Sequence, residues 1–377
     1  MNNILITGGA GFIGSNLVLK LLTKGYNITV LDNLLPQIHG TNPAETSALY
    51  QSIKDKVRFI QGDVTSKEDL INALKNQQIV VHFAAETGTG QSMYEIERYT
   101  NVNIQGTAIL LDILTNEKTE VKKVLIASSR AVYGEGKYLS KEKGIVYPNH
   151  RKEVDMNKRD FEVKYADCSE LELLATDENS KIHPSSVYGI TKQVQEQLIM
   201  TVCPTINIAP VSLRYQNVYG PGQSLTNPYT GILSIFSTRI RNSLPINIFE
   251  DGLESRDFVF IDDVVNATIL AIEKEEANNQ IFNVGTGVAT TVNDVVSTLI
   301  EEFDIETETN ISGNYRLGDI RHNYADISKI QSTLGFTPFT DFKSGCRQFV
   351  NWVKEQAAIQ DTYEESLNEM KQKGLMK

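Results

Sequence analysis

Tyr188 and Lys192 lie four residues apart in "HPSSVYGITKQVQEQ", residues 183–197, at the predicted start of a helix. This spacing puts both side chains on one helix face, so they would point at one ligand. A phenol titrates near about pH 10 and is a poor base at neutral pH, but a neighbouring cation favours the phenolate. The pair therefore has the chemistry of a general acid and base, although an isolated Y-x-x-x-K is typical of an exposed pair on a solvated face.

A glycine turn, "TGGAGFIG" from Thr7 to Gly14, follows a predicted strand and precedes a predicted helix. Gly8, Gly11 and Gly14 permit a tight turn and let the backbone approach a pyrophosphate closely. The helix N-terminus adds unpaired N–H groups and the positive end of the helix dipole. The strand–turn–helix context therefore predicts a dinucleotide-binding site.

Asp32 ends the next predicted strand, about twenty residues further on, where a carboxylate can accept both ribose hydroxyls of an adenosine. A carboxylate there repels a 2′-phosphate, which favours NAD over NADP. Asp side chains also favour turns, so Asp32 could equally be a turn former. Asp63, in "GDV" after the third strand, is placed to meet the adenine edge.

The elements that must position these groups are short apolar runs separated by helical patterns. Strands are predicted at "NILIT", "NITVLD", "VRFIQGDV", "IVVHFAAE" and "KKVLIASS". Helices are predicted at "GSNLVLKLLTKG", ending at Gly25, and near residues 67–76 and 103–116. This alternation is typical of a doubly wound α/β fold, a parallel sheet covered by helices on both faces.

Residues 135–184, the insertion, break this pattern because they are highly charged and weakly periodic. We expect a long surface excursion with a short hairpin around "FEVKYADCSELELLA", residues 161–175. A loop of this length is usually functional or disordered. The charged, helix-prone end of the chain predicts a solvated terminal helix.

Composition argues against several classes of protein. The 377 residues carry a formal net charge of −11, whereas nucleic-acid and anionic-membrane surfaces need a clustered excess of Lys and Arg. No run of about 18 apolar residues and no signal peptide is visible, so we expect a cytoplasmic protein. Cys168, Cys203 and Cys346 lack the spacing of a disulfide framework or a zinc site, so we expect no metal.

The order of the motifs resembles a known family, the extended short-chain dehydrogenase/reductases, and more specifically the nucleotide-sugar epimerases and dehydratases. The matching motifs are "TGGAGFIG", "LDN", "GDV", "HFAAE", "NVNIQGT", "SSRAVYG", "YGITK", "LRYQNVYGPG" and "RDFVFIDDV". The resemblance covers about residues 1–350. It implies a Rossmann domain, 1–218 plus 258–285, and a smaller, more irregular C-terminal substrate domain, 219–257 plus 286–377.

The resemblance also implies roles for individual residues. Tyr188 would be the catalytic acid/base, Lys192 would hold the nicotinamide ribose, and Ser129 would share a hydrogen bond with the sugar oxygen. The implied NAD-binding residues are Gly8, Gly11, Phe12, Ile13, Gly14, Asp32, Asn33, Asp63, Val64, Phe83, Ala84, Ala85, Asn103, Tyr188 and Lys192. The implied residues for a nucleotide-diphosphate sugar are Glu86, Thr87, Ser129, Arg130, Asn217, Arg256 and Arg316.

Some of these roles have structural alternatives. Arginine suits a diphosphate because its planar fork pairs bidentately with phosphate oxygens, but any single arginine could instead form a surface ion pair. Arg321 is undecided on these grounds. Glu86 would line the sugar pocket with Thr87 and Gln91, or could be a buried hydrogen-bond partner.

The two positions after Ser129 bear on the reaction. Dehydratases of the family commonly carry Asp-Glu there to expel a neighbouring hydroxyl as water, whereas this chain has Arg130 and Ala131. Neither can act as a carboxylic acid or base. We therefore predict 4-epimerisation, in which the sugar is oxidised transiently at C4 to a 4-keto sugar and the hydride returns to the opposite face.

The sugar itself is suggested by residues 84–95, "AAETGTGQSMYE", which have Thr87 where UDP-galactose 4-epimerases carry a lysine. With the insertion, this resembles dTDP-L-rhamnose 4-epimerase-like enzymes and implies dTDP-L-rhamnose or dTDP-6-deoxy-L-talose. A UDP-glucose or UDP-N-acetylglucosamine 4-epimerase, a nucleotide-sugar dehydratase, decarboxylase or reductase, and a NAD-sensing regulatory protein are alternatives. By resemblance, helices around 103–116 and 188–203 would form a homodimer interface.

Overall fold

The structure is a computed structural model that describes residues 2–168, 170–227, 229, 231–357, 361 and 363–377. The strands in these residues are β1 (Asn3–Thr7), β2 (Asn27–Asp32), β3 (Arg58–Gln61), β4 (Ile79–His82), β5 (Lys123–Ser129), β6 (Lys137–Ser140), β7 (Gly144–Val146), β8 (Leu171–Leu174), β9 (Ala209–Tyr215), β10 (Asn217–Tyr219), β11 (Ile246–Ile248), β12 (Ser255–Arg256), β13 (Phe258–Phe260), β14 (Gln280–Val284), β15 (Thr290–Thr291), β16 (Thr309–Ile311) and β17 (His322–Asn323).

The α-helices in the same residues are α1 (Phe12–Thr23), α2 (Pro36–His39), α3 (Pro43–Thr46), α4 (Ala48–Ile53), α5 (Lys67–Leu74), α6 (Thr89–Ser92), α7 (Ile96–Tyr99), α8 (Gly106–Asn116), α9 (Glu153–Met156), α10 (Val187–Thr205), α11 (Ile232–Arg241), α12 (Ile261–Glu273), α13 (Val292–Phe303), α14 (Ser328–Leu334), α15 (Phe342–Glu355) and α16 (Tyr363–Gln372). A π-helical turn, Thr100–Gln105, leads into α8, and 3₁₀ turns occupy Arg130–Tyr133 and Glu275–Ala277.

Among the described strands, seven form one parallel sheet in the order β14-β9-β5-β4-β1-β2-β3. β1 pairs with β2 on one side and with β4 on the other, so the direction of winding reverses beside β1. In open sheets of this kind, ligands bind outside the carboxyl ends of the strands at that reversal. The predicted doubly wound parallel fold is confirmed.

The core follows from the alternation of side chains along the buried strands. Ile4 and Ile6 of β1 face one layer, where they pack with Leu17 of α1 and Val264 of α12. Leu5 faces the opposite layer, which contains residues of α5, α8 and α10. Successive strand side chains point to opposite faces, so apolar runs without alternation require helices on both sides.

The insertion forms a small antiparallel sheet in which β6 pairs with both β7 and β8. The hairpin is β6–β7, and among the described residues of 161–175 only β8 is a strand, so the predicted hairpin position was wrong. The turn of the hairpin is followed by Gly144, the first residue of β7, which has φ +72°. This turn lies in the charged stretch "SKEKG", residues 140–144, and the strands on either side of it are short. The sequence therefore gives only a weak strand pattern here.

The expectation of a solvated terminal helix was also wrong. Tyr363, Leu367 and Met370 of α16 are buried in a cluster with Met376, beside partly buried Tyr94 and Phe249. The backbones of Tyr315 and Lys377 exchange two hydrogen bonds of 3.1 Å. The apolar residues of α16 recur at helical spacing among many charges, so one face is buried although mean hydropathy is low.

No helix in the described part of the chain is long and apolar enough to cross a membrane. The same residues contain no group of three or more His, Cys, Asp or Glu side chains that could hold a metal ion. Cys203 and Cys346 are buried, Cys168 is half-buried, and all three are free thiols. The strands of the large sheet all lie within residues 1–218 and 258–285, while the division into two domains stays a prediction.

Candidate active site

The glycine turn between β1 and α1 has the shape of a cradle for an anion. Gly8 has φ +68°, a left-handed conformation that glycine adopts without strain. A Cβ on Gly14 would lie 2.4 Å from the Gly8 carbonyl oxygen, so only glycine lets α1 pack this closely. Gly11 caps α1 without a side-chain hydrogen bond, and the first-turn N–H groups at Phe12 and Ile13 have no intrahelical partner.

Asp32 ends β2 beside this turn and is buried. Its carboxylate accepts hydrogen bonds of 2.9 Å from the backbone N–H groups of Ala10 and Leu34. Burial raises the pKa of Asp32, and the hydrogen bond from Leu34, the nearby His39 and the hydrogen bond from Ala10 oppose that increase. Asp32 therefore fixes the glycine turn, as the structural alternative expects, and also lies at the strand end where a ribose would bind.

Asn33, Asp63 and Val64 follow the neighbouring strand ends. Asn33 Nδ2 donates to Asp63 at 3.0 Å, and Thr65 donates its backbone N–H at 2.8 Å and its hydroxyl at 2.7 Å to the same carboxylate. Burial raises the pKa of Asp63, but these hydrogen bonds outweigh it and hold the pKa below the usual value. Val64 is buried. Asn33 and Asp63 are thus one hydrogen-bonded group with a charged carboxylate.

Phe83, Ala84 and Ala85 follow β4 and are each half-buried. A Cβ on Gly8 would lie 2.7 Å from the backbone nitrogen of Ala84, so this segment lies directly against the glycine turn. Phe83 packs edge-on against Tyr215, with ring centroids 6.1 Å apart. The close backbone approach, the free N–H groups and the buried carboxylate together fit a bound dinucleotide.

Asn103 is fully buried, and its side-chain amide forms hydrogen bonds with other groups of the protein. Its Oδ1 accepts from the Glu86 backbone N–H at 2.8 Å, and its Nδ2 donates to the Glu86 carbonyl at 3.1 Å and to the Thr191 hydroxyl at 2.9 Å. The Glu86 carboxylate forms an ion pair of 2.6 Å with Arg98. Glu86 is therefore held by protein partners, which agrees with its alternative as a buried hydrogen-bond partner. Thr87, in contrast, is exposed.

The fold brings together the three residues predicted to be catalytic. Ser129 ends β5, and α10, which carries Tyr188 and Lys192, packs along that strand. The Ser129 hydroxyl accepts the Ala131 N–H at 3.1 Å and is hydrogen-bonded to the Tyr188 phenol. Lys192 is buried, and its ammonium donates to the Ala127 carbonyl on β5 at 2.9 Å.

Two serines that the sequence analysis did not single out hold the start of α10. Ser186 caps the helix by accepting the Gly189 N–H at 3.1 Å. Ser92, which is fully buried, accepts the Tyr188 N–H at 3.0 Å. Ser186 could have been found as a serine directly before a helical pattern. Ser92 lies 96 positions from its partner, and nothing local indicates the contact.

The prediction for Tyr188 is that Lys192, together with the positive nicotinamide of NAD⁺, lowers the pKa of the phenol, and the protein groups around the phenol act as follows. Burial raises the pKa of Tyr188, and the hydrogen bond with Ser129 and the charge of Arg130 act against burial. Burial lowers the pKa of Lys192 to about 7. Among the described residues, Arg130 is the cation whose charge lowers the pKa of Tyr188, while the effect of Lys192 with NAD bound stays a prediction.

Three of the predicted substrate residues, Arg130, Asn217 and Arg256, lie near one another. Arg130 Nε donates to Asn217 Oδ1 at 2.5 Å. Arg256 donates to the backbone carbonyl of Arg321 at 2.8 Å and to that of Ile320 at 2.6 Å. Neither Arg130 nor Arg256 has a carboxylate within 4.0 Å among the described residues. The surface-ion-pair alternative therefore does not describe these two arginines.

Arg316 and Arg321, five positions apart, have different surroundings. Arg316 is half-buried and pairs with Asp319 at 2.8 Å. Arg321 is fully buried and donates to Glu162, Glu250 and Asp251 over 2.6–3.0 Å. Arg321 thus has a structural role, since its charge is neutralised by protein carboxylates.

Comparison of the sequence with known proteins identifies relatives of the chain. Residues 4–152 and 164–285 match the sequence profile of the NAD dependent epimerase/dehydratase family. A dTDP-L-rhamnose 4-epimerase of Burkholderia thailandensis is 36% identical over 94% of this chain and 95% of its own length. A putative UDP-glucose 4-epimerase of Methanocaldococcus jannaschii is 33% identical over 93% of this chain and 98% of its own length.

Solved structures agree with the sequence match. The UDP-glucose 4-epimerase of Thermotoga maritima with UDP-glucose has a TM-score of 0.74 at 30% identity, over 94% of this chain and 99% of that one. The UDP-glucuronic acid 4-epimerase of Bacillus cereus with UDP-glucuronic acid and NAD has a TM-score of 0.76 at 26% identity, with the same coverage. The predicted NAD dependence and enzyme class are confirmed, and the chain belongs to the NAD-dependent epimerase/dehydratase family.

Proposed function

We propose that the chain is an NAD-dependent 4-epimerase of a nucleotide-diphosphate sugar. The observation that carries the proposal is that Ser129, Tyr188 and Lys192 lie together while Ser129 is followed by an arginine and an alanine. A dehydratase needs a carboxylic acid and base at those positions, and neither is present. The relatives that are 4-epimerases support the same reaction.

In this mechanism Tyr188, as phenolate, accepts the proton of the C4 hydroxyl and later returns it to the oxygen of the inverted carbinol. Ser129 shares a hydrogen bond with the same oxygen, and Lys192 holds the ribose beside the ring. NAD, when bound, supplies the acceptor for the hydrogen on C4 and gives it back. The sugar must turn over between the two transfers, so the protein has to hold the diphosphate more firmly than the sugar.

The diphosphate would be held by Arg130, Asn217, Arg256 and Arg316, which carry guanidinium and amide donors, and the three arginines all lie within reach of the charge of Asp319. Arg256 is fixed through backbone carbonyls and so keeps its positive charge unpaired among the described residues. Such a charge in a half-buried site is stabilised when an anion binds. Glu86 and Thr87 would adjoin the sugar, with Thr87 as the exposed contact.

We further propose dTDP-L-rhamnose and dTDP-6-deoxy-L-talose as the substrate pair. The relative from Burkholderia thailandensis and the absence of lysine at Thr87 support this choice. UDP-glucose and UDP-N-acetylglucosamine form the second candidate class, supported by the relative from Methanocaldococcus jannaschii and the Thermotoga maritima structure.

The proposal is tested by incubating the NAD-loaded protein with these four sugar nucleotides and following configuration at C4 by NMR. We expect inversion of at least one, without net consumption of NAD. Tyr188→Phe should lower turnover by about 10²–10⁴-fold and keep the bound NAD, because the ring stays while the acid/base is lost. Tyr50→Phe is the control, since the Tyr50 ring on α4 packs edge-on against Phe59 of β3 with ring centroids 4.8 Å apart, and neither residue belongs to the predicted site.

Other outcomes identify other functions. Release of a 4-keto-6-deoxy sugar would indicate a dehydratase, and release of carbon dioxide would indicate a decarboxylase. Net consumption of NADH would indicate a reductase. NAD binding with no turnover of any sugar, and no effect of Tyr188→Phe, would favour a NAD-sensing regulatory protein.

A homodimer is also proposed, through the helices predicted around 103–116 and 188–203. The described helices α8 and α10 carry partly exposed apolar residues, among them Ile109, Leu198 and Val202, and Ile190 is 47% exposed. Sedimentation of a stable monomer at micromolar concentration would exclude this assembly.

A further inference from the structure

Residues 363–377, which comprise α16 and the five residues after it, contact two separate parts of the predicted substrate site. One part is Arg316, predicted to bind the diphosphate. The other is the 84–95 segment, predicted to adjoin the sugar. The family profile ends at residue 285, so it assigns no role to the 363–377 segment.

The contact with Arg316 is built from the backbone. Arg316 and Met376 face each other in an antiparallel bridge. The hydrogen bonds of the bridge join the residues on either side, Tyr315 with Lys377 twice at 3.1 Å and Leu317 with Leu375 at 2.9 Å. Backbone that is held by such hydrogen bonds opens less readily, so the Arg316 side chain starts from a fixed position.

The Arg316 side chain also lies against the cluster that α16 forms. Its guanidinium carbon is 5.5 Å from the centre of the Phe249 ring, within the range of a cation–π contact. Phe249 packs in the same cluster as Leu367 and Met370 of α16. Arg316 pairs with Asp319 at 2.8 Å, yet its side chain stays 32% exposed and so is accessible to an anion.

The contact with the 84–95 segment is a chain of hydrogen bonds. The Tyr94 hydroxyl donates to the Tyr229 hydroxyl at 2.7 Å, and the Tyr229 hydroxyl donates to a carboxylate oxygen of Glu369 at 2.5 Å. Hydrogen bonds to an ionised carboxylate are shorter and stronger than those between neutral groups. Tyr229 also packs closely on the same segment, since a Cβ on Gly88 would lie 3.5 Å from the Tyr229 Cβ.

α16 contacts the 84–95 segment directly as well. A Cβ on Gly90 would lie 3.2 Å from the Met370 sulfur, so the helix packs against α6. Ser92, two residues further on, accepts the backbone N–H of Tyr188 at 3.0 Å. The short helix that α16 supports therefore also supports the start of α10, which carries the catalytic phenol.

The first turn of α16 is anchored by contacts away from the 84–95 segment. Arg239 of α11 is buried, pairs with Glu364 at 3.0 Å and lies over the Tyr363 ring at 5.2 Å. Loss of the Glu369 carboxylate should therefore leave the helix in place and remove its hold on Tyr229. Positioning and folding can thus be tested separately.

We propose that the 363–377 segment is part of the substrate site. Its residues 375–377 position Arg316 for the diphosphate. Its Glu369 positions the 84–95 segment for the sugar, and does so through a phenol without touching the substrate. This inference rests on the proposed function, since it adds positioning residues to the same site.

The sugar end is tested with Glu369→Ala, measured as kcat for the sugar nucleotide that is turned over and as affinity for dTDP and UDP, which lack the sugar. We expect kcat to fall about tenfold, because a displaced sugar reacts more slowly, and the affinity for both diphosphates to stay unchanged. Glu369→Gln should recover most of kcat, because its amide oxygen still accepts from Tyr229. Glu365→Ala, at an exposed position of the same helix, is the matched control and should change neither quantity.

Hydrogen exchange tests the same contact without any turnover. The backbone N–H groups of residues 84–95 should exchange about threefold faster in Glu369→Ala than in the wild type, because the segment has lost a support. In Glu365→Ala they should exchange at the wild-type rate. This measurement does not depend on which sugar the protein accepts.

The diphosphate end is tested by deleting residues 375–377, with Arg316→Gln and the double variant beside it. Calorimetry on the NAD-loaded protein compares dTDP and UDP with dTMP and UMP. We expect each change to remove about tenfold of the affinity that the second phosphate adds. The double variant should lose no more than either change alone, because both act through one guanidinium. Arg347→Gln, which removes an exposed arginine of α15, is the control and should change nothing.

Unchanged diphosphate preference after the deletion, or additive losses in the double variant, would overturn the role of residues 375–377. Unchanged kcat or unchanged exchange in Glu369→Ala would overturn the role of Glu369. If the deletion variant does not fold, deletion of Lys377 alone, which removes both hydrogen bonds with Tyr315, takes its place. If the wild type inverts none of the sugars, the proposed function fails, while nucleotide binding and hydrogen exchange still decide this inference.

Discussion

Lys192 is a cation that the fold holds away from water. It is 3% exposed, and burial lowers its pKa to about 7 from an ordinary 10.5. Its one described hydrogen bond is to the Ala127 carbonyl of β5, at 2.9 Å. Burial of this amine therefore lowers the free energy of unfolding of the cofactor-free protein. Such a loss of stability is common for side chains that serve function.

Lys192→Met should therefore stabilise the NAD-free protein at pH 7 by about 2 kcal/mol while lowering turnover of the loaded protein. The folded protein binds fewer protons than the unfolded chain between about pH 7 and 10.5, so wild-type stability rises with pH across that window. The advantage of the variant should disappear as pH approaches 10.5. Thermal unfolding at pH 7 and pH 10 measures this.

Lys118→Met, which removes an exposed lysine, is the control for this experiment. A Lys192→Met protein that is less stable than the wild type at pH 7 would contradict the argument. It would mean that the ammonium has stabilising partners in the NAD-free fold.

The first turn of α10 sets the distance between Tyr188 and the 3₁₀ turn that follows β5. Ser186 and Ser92 fix its first turn, and Gly189 allows it to touch that turn. A Cβ on Gly189 would lie 2.6 Å from the Ala131 carbonyl oxygen and 2.8 Å from the Pro184 ring. The helix and the turn can therefore be this close only with glycine at position 189.

Gly189→Ala should destabilise the protein by about 2 kcal/mol and lower kcat at least tenfold, because α10 must move away from Ser129. Helix propensity alone predicts the opposite sign, a gain of about 1 kcal/mol for alanine over glycine. Chemical denaturation and steady-state kinetics measure the two effects. Thr205→Ala, at the exposed end of the same helix and outside the proposed dimer interface, is the control, and stabilisation by Gly189→Ala would refute the packing argument.

At the scale of the whole molecule, buried charges connect the insertion to the chain around residue 250. Arg321 binds Glu162 of the insertion at 2.6 Å, and it also binds Glu250 and Asp251. Arg151 of the insertion pairs with Glu250 at 2.7 Å. The insertion is thus anchored through ion pairs, and these lie beside the backbone carbonyls that hold Arg256.

Arg321→Met should lower the free energy of unfolding by about 3–5 kcal/mol, because it leaves several carboxylates without their buried cation. Asp251→Asn in the same chain should restore part of the loss, since Arg321 is the one cation within 4.0 Å of Asp251 among the described residues, whereas Glu250 keeps Arg151. Denaturant titrations of the single and double variants measure both. Lys141→Met breaks an exposed ion pair of the same insertion with Glu170, and this control should cost less than about 1 kcal/mol.

The parts of the fold and of the site that could be predicted from the sequence are those set by contacts between residues close together in the chain. The positions of Gly8, Gly14 and Asp32 are dictated by backbone geometry within one strand–helix–strand unit, β1–α1–β2. Those of Tyr188 and Lys192 are dictated by the period of one helix. Strands β1 to β5 of the seven-stranded sheet were predicted from short apolar runs, whereas the order of the strands was not predicted and came from the structure.

Only the tertiary structure decided the electrostatics of the site. Arg130 meets Asn217 across 87 positions, Arg321 meets Glu162 across 159, and Tyr94 lies beside α16 from the far end of the chain. Whether a charge is solvated, neutralised or left free depends on such distant partners and on burial, which local patterns do not encode. The sequence therefore determined which groups could perform the chemistry, and the fold determined that Arg321 is neutralised while Arg130 keeps its charge beside the phenol.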